Sequence, residues 1–201
     1  MSTTLTRSRG AGRWRTVDLV TAAVLGVAFG VVFWGWGVVY AALSPLFTTV
    51  PFVQSILSGV WLLPAVVAAL VVRRPGAALL AELVAATVEA LLGSHWGFST
   101  LVSGAIQGIG VEIAVALFVW RRFGPAVAVL GGVIAAALEG VYELYAYYAG
   151  MWSFGFQVVY VACFVVSGAV VAGLGGAQIV RGLARAGALG AFAAGREHPR
   201  G

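Results

Sequence analysis

Glu89, His95, Trp96, Gln107 and Glu112 fall close together in a chain that is otherwise overwhelmingly apolar. An ionisable side chain inside a bilayer costs on the order of 2.5 to 3.5 kcal/mol on insertion scales, so such groups face a bundle interior or a water-filled cavity. Further along, one-turn spacing puts Glu139, Tyr142, Glu143 and Tyr147 on one side of a helix. The next helix starts near Trp152 and places Gln157, Tyr160 and Phe164 on a common face. Carboxylates opposite aromatic faces suit an amine, an amidine-like heteroaromatic ring or a cation: Glu accepts from ring N–H groups, and Tyr and Trp stack on the ring. The expected site takes polar contacts from Glu89, Gln107, Glu139 and Glu143, with Glu89 and Glu139 as the deeper pair. Tyr142, Tyr147, Trp152 and Tyr160 form the aromatic walls, Gln157 is a further binding residue beside Tyr160, and His95 and Trp96 form the rim. A blander reading stays open, in which the glutamates only lock helices together.

Nothing in the chain has the spacing of a catalytic centre. There is no His-x-x-x-His pair, no second histidine beside His95 to build a metal site, and no Ser or Cys with a base at motif distance. No Gly-x-x-x-x-Gly-Lys loop is present to cradle a nucleotide phosphate. The expectation is a non-enzyme with no catalytic residue, no metal and no cofactor, whose transport energy, if any, comes from a partner or an ion gradient.

The elements that must position these residues are membrane helices. With 61% hydrophobic and 9% charged residues over 201 positions, the chain has far fewer charges than the roughly 25% of a soluble domain. A helix crosses about 30 Å of hydrocarbon with about 20 residues. Six runs fit: roughly 18–43, 52–72, 76–92, 100–120, 125–149 and 156–180. The net charge of +5 comes entirely from arginines, clustered before the first run, at Arg73-Arg74, at Arg121-Arg122 and from Arg181 onward. Every second loop is basic, so both termini are expected to be cytoplasmic, with loops 44–51, 93–99 and 150–155 facing outward. No continuous basic stripe exists for nucleic acid, and lone Cys163 can form no internal disulfide.

The fold expected is therefore an all-α integral membrane protein of the cell membrane, a single bundle of six transmembrane helices at 18–180. A basic cytoplasmic tail at 1–17 precedes it, and a cytoplasmic, mostly disordered tail at 181–201 follows. In the first run Ala22, Gly26 and Gly30 recur every four residues and form a flat stripe, the kind of surface on which another helix can dock closely. That stripe is expected to dock on a partner helix rather than inside the bundle.

These features together resemble a known family. Six spans, cytoplasmic termini, a small-residue stripe in the first helix and an acidic, aromatic outer half resemble the substrate-binding (S) components of energy-coupling factor transporters. Within them, Gly93-Ser94-His95-Trp96-Gly97 followed by Gln107-Gly108-Ile109-Gly110-Val111-Glu112 resembles the YkoE-like branch, associated with thiamine and its hydroxymethylpyrimidine precursor. The resemblance covers roughly 18–180 and implies a receptor for a vitamin or its precursor that docks on a transmembrane coupling (T) subunit and two ATPase domains. The rival reading is a small ion- or proton-coupled transporter or channel, with Glu82, Glu89 and Glu112 as a relay across the membrane.

Overall fold

The computed structural model describes residues 14–197. Arg7, Arg9 and Arg13 of the expected basic tail and residues 198–201 lie outside the described residues. Helix α1 spans Thr16–Leu43, α2 Leu63–Val72, α3 Ala77–Leu91, α4 Thr100–Leu117, α5 Pro125–Ala146 and α6 Phe154–Ser167. The last of these continues through a π-helical stretch, Gly168–Gly175, into α7 at Gly176–Arg185, and α8 follows at Ala193–Arg196. Among the described residues five stretches are long and apolar enough to cross a membrane: Thr16–Phe47, Pro51–Val72, Gly97–Leu117, Pro125–Ala146 and Phe154–Arg185. Helix α3, with 15 residues and buried Glu82 and Glu89, is shorter than any of these five stretches. It is wrapped by α1, α2 and α4.

The second span is not a uniform helix. Pro51–Leu62 is wound as a 3-10 helix before α2 begins. Pro64 lacks the N–H that would bond the Val60 carbonyl in α-helical register, and Leu63 N–H takes that carbonyl instead. The segment also makes bonds outside itself. Gly59 N–H donates to Ser167 Oγ at 2.9 Å, and Ser55 Oγ donates to the Tyr160 carbonyl at 2.8 Å. These bonds tie the 3-10 segment to α6.

Close helix contacts are made by glycine. A Cβ built on Gly132 of α5 would sit 2.1 Å from the Gly168 carbonyl oxygen, so α5 and the π-helical stretch touch backbone to backbone. The Ala22, Gly26 and Gly30 stripe behaves the same way, which corrects the expectation that it docks on a partner. All three residues are buried, and the two glycines face α3: a Cβ on Gly26 would lie 2.6 Å from Val84 Cβ, and one on Gly30 2.5 Å from Val88 Cβ. In a membrane, where lipid is as apolar as leucine, such close packing is what draws helices together, and α3 is the partner that uses the stripe.

The expected disorder after residue 181 is also corrected as far as residue 197. Leu189, Phe192 and Ala194 are buried and join the core around α2. Arg15 lies over the Phe192 ring, and Arg73 lies over the Phe123 ring while donating two hydrogen bonds to Glu197. Trp14 Nε1 donates to the Pro75 carbonyl at 3.2 Å, and Asp18 accepts from both Arg15 and Arg74. The arginine-rich turns, the start of α1 and the C-terminal segment therefore gather at one end of the bundle.

Candidate functional site

At the opposite end, toward the C-terminal ends of α1, α3 and α5 and the start of α4, a cavity of about 310 Å³ opens between the helices. The size suits a small organic ligand. Its floor includes Phe33 of α1 and Phe164 of α6, both almost fully buried. Four carboxylates border it, Glu82 and Glu89 from α3 and Glu139 and Glu143 from α5, and among the described residues no arginine does.

The four differ sharply in what holds them. Glu82 is 0% exposed, and both its oxygens have donors. Ala65 N–H donates to Oε2 at 2.9 Å, and the Gln107 side-chain amide, oriented to donate, reaches Oε1 at 3.2 Å and the Trp61 carbonyl at 2.9 Å. Ala65 N–H is free for this because it belongs to the first turn of α2, where helix donors lack carbonyl partners. Glu89 accepts from Trp61 Nε1 and from Ser94 Oγ, each at 3.3 Å and both on Oε1. Glu143 accepts from the Tyr160 hydroxyl. Glu139 is the exception: it is 0% exposed and neither oxygen has a hydrogen-bond partner, although Ser103 and Gln107 approach it. Burying an unpaired polar group costs about 1 to 3 kcal/mol, more when charged, so a native structure keeps one where something else completes it.

Three rings form one corner of the cavity. Tyr40 and Trp61 lie 5.4 Å apart between centroids, Tyr40 and Trp96 5.7 Å, and Trp61 and Trp96 5.4 Å, all edge to face. On the other side Tyr147 donates to Ser99 Oγ at 3.0 Å, and Tyr148 stacks on Trp152 at 4.4 Å. The loop between α3 and α4 carries His95 and Trp96 to the rim and Ser94 to Glu89, with Gly93 and Gly97 in left-handed conformations that let the chain turn so tightly.

Of the residues expected at the site, Glu89, His95, Trp96, Gln107, Glu139, Glu143 and Tyr147 border this cavity. Tyr142, Trp152, Gln157 and Tyr160, also expected there, lie outside its lining. Tyr160 is 2% exposed and stands behind Glu143 as its donor, Trp152 backs Tyr148, and Tyr142 packs on Tyr147. Gln157 donates to the Trp152 carbonyl at 3.0 Å and belongs to a separate, apolar groove between α5 and α6. Glu112, a member of the alternative relay, accepts from Ala78 N–H at 2.9 Å at the start of α3 and lies away from the cavity.

Phe33, Tyr40, Ser58 and Trp61 were not anticipated. Aromatics at the outer end of α1 read equally well as interfacial anchors. Trp61 carried a signal that could have been used: it is the one side chain with a polar donor in the run 59–72.

The chain is similar to known transport proteins. A family model described as the permease component of an ABC-type cobalt transport system matches residues 17–138. The putative HMP/thiamine permease protein YkoE of Bacillus subtilis (strain 168) is 31% identical over 184 residues, covering 92% of each chain. A crystal structure of an S-component of an ECF transporter superposes with a TM-score of 0.87 at 31% identity, covering 92% of this chain and 93% of that one.

Proposed function

This chain belongs to the substrate-binding S components of energy-coupling factor transporters, in their YkoE-like branch, and from that premise we propose that it captures thiamine or its hydroxymethylpyrimidine precursor from outside the cell. The observation that carries the reading is the buried, unpartnered Glu139 at a cavity bordered by carboxylates and aromatic rings. An aminopyrimidine offers N–H donors to a carboxylate on one edge and a flat face for stacking. Glu82 with Gln107 and Glu143 with Tyr160 act as a prearranged polar frame around it. The bound vitamin is delivered through a transmembrane coupling subunit and two ATPase domains, since this chain carries no nucleotide-binding loop of its own.

Six crossings place both ends of the chain in the cytoplasm, with α3 as a short sixth span shielded by its neighbours, because the basic turns collect at the end away from the cavity. Labelling cysteines with an impermeant reagent in intact cells tests this, in a Cys163→Ala background. Ser94→Cys is expected to react and Arg122→Cys to be protected; the reverse pattern would invert the topology.

Isothermal calorimetry on the purified protein tests the function. Thiamine, the pyrimidine alcohol and Co²⁺ are the probes, the last because of the family description. Saturable binding of at least one organic ligand is expected, with Co²⁺ silent. Binding of the metal alone would mean that the aromatic cavity is not the cargo site. Among the described residues no three His, Cys, Asp or Glu side chains converge as metal ligands.

A further inference from the structure

We propose that two arginine pairs at the end of the bundle away from the cavity, Arg121 with Arg122 in the turn before α5 and Arg181 with Arg185 on α7, hold the phosphate headgroup of an anionic phospholipid. The inference needs only the membrane placement of the chain and stands apart from what the cavity binds.

No acidic side chain is left for these four arginines. The chain has seven Asp and Glu residues, and all are engaged elsewhere. Four border the cavity, Glu112 accepts from Ala78 N–H, and Asp18 and Glu197 take Arg15, Arg73 and Arg74. Among the described residues Arg121, Arg122, Arg181 and Arg185 make no ion pair, and all but half-buried Arg181 are exposed.

Packing brings the two pairs to one level. Gly132 of α5 meets Gly168, and a Cβ on Gly173 would lie 2.6 Å from Val129 Cα. These contacts step in opposite directions along the two segments, so α5 and the stretch leading into α7 run antiparallel. The turn before α5 therefore lies beside α7, which α5 also touches. Helix α7 buries Gly176, Ala177, Val180 and Ala184, and a Cβ on Gly176 would lie 3.0 Å from Val66 of α2. Gln178, Arg181 and Arg185, at intervals of three and four, share a different side.

Each pair sits where an apolar stretch ends. Arg185 closes the membrane-capable run Phe154–Arg185, with Leu174 and Ile179 exposed before it, and exposed Leu117 and Val119 precede Arg121. A ligand for this surface needs an acyl chain beside the apolar side chains and an anion beside the guanidinium groups. A phospholipid has both in that order, and free phosphate lacks the first. The planar fork of arginine bonds phosphate oxygens in pairs, and cations next to a membrane span gain from an anionic lipid surface.

Native mass spectrometry of the detergent-purified full chain, titrated with dioleoyl-phosphatidylglycerol or dioleoyl-phosphatidylcholine, reads the affinity of the first bound lipid. The unaltered protein is expected to hold the anionic lipid about tenfold or more tighter than the zwitterionic one. At about fivefold per arginine, Arg121→Gln/Arg122→Gln and Arg181→Gln/Arg185→Gln should each weaken phosphatidylglycerol about tenfold or more and leave phosphatidylcholine within about threefold. Arg181→Lys/Arg185→Lys keeps the charge without the fork and should fall between, and it carries the comparison if a Gln variant fails to fold. Equal affinity for both lipids in the unaltered protein, or an undiminished preference in the double variants, overturns the proposal. Displacement of the lipid by an equal concentration of inorganic phosphate overturns it in favour of a free anion site. Loss of uptake in variants that keep the lipid preference would assign the arginines to a protein partner instead.

Discussion

Gly30→Leu is expected to lower the unfolding temperature of the purified protein sharply and to abolish ligand binding in the absence of any partner. Even a methyl group at this position would meet Val88 Cβ at 2.5 Å and the Ala85 carbonyl oxygen at 2.7 Å. A side-chain tip can rotate away, but a helix carbonyl moves only with its helix, so the leucine must push α1 off α3. Overpacking costs typically about 1 to 3 kcal/mol, and contact with rigid backbone puts this case at the upper end or beyond. Helix α3 carries Glu82 and Glu89, so the displacement reaches the cavity as well as the packing. Gly26→Leu should behave alike, its Cβ lying 2.7 Å from the Ala81 carbonyl oxygen. Thermal denaturation and calorimetry on the isolated chain are the measurements. A variant that is as stable as the parent and binds ligand normally, yet no longer supports uptake, would return the stripe to partner docking.

Glu139→Gln is expected to weaken binding of the aminopyrimidine by about ten- to a hundredfold, corresponding to about 1.5 to 3 kcal/mol for a hydrogen bond to a charged partner. The same substitution should leave the empty protein at least as stable as the parent. Its carboxylate sits fully buried and makes no well-formed hydrogen bond, with only Ser103 and Gln107 nearby, and an amide is cheaper to bury than a charge. That opposite pair of outcomes separates a ligand contact from a structural one. Glu82→Gln provides the contrast, because its oxygens hold Ala65 N–H and the Gln107 amide, and its loss should register in stability. Unchanged affinity in Glu139→Gln, measured by calorimetry, would move the recognition site elsewhere in the cavity.

Membrane class, the rough positions of five apolar spans and the segregation of arginine from the polar cluster are set by composition and by the 20-residue length of a bilayer crossing, so they could be read directly from the chain. Seven of the eleven expected site residues border the cavity for a related reason: an ionisable or amide group in an apolar chain has few places to go. The tertiary structure decided what spacing could not. Helical periodicity says which residues share a face, and the Ala22, Gly26 and Gly30 face is real; which neighbour that face meets depends on how α1 lies against α3. Periodicity likewise puts Tyr160 beside the site but cannot tell a wall from the residue behind it, and Tyr160 proves to be the donor that holds Glu143. Tyr40 and Trp61 reach the cavity because the 3-10 winding of Pro51–Leu62, imposed in part by Pro64, and the contact of α1 with α3 bring two distant segments together. Local sequence determines which side chains are costly to leave in lipid, and only the packing of whole helices determines which of them meet.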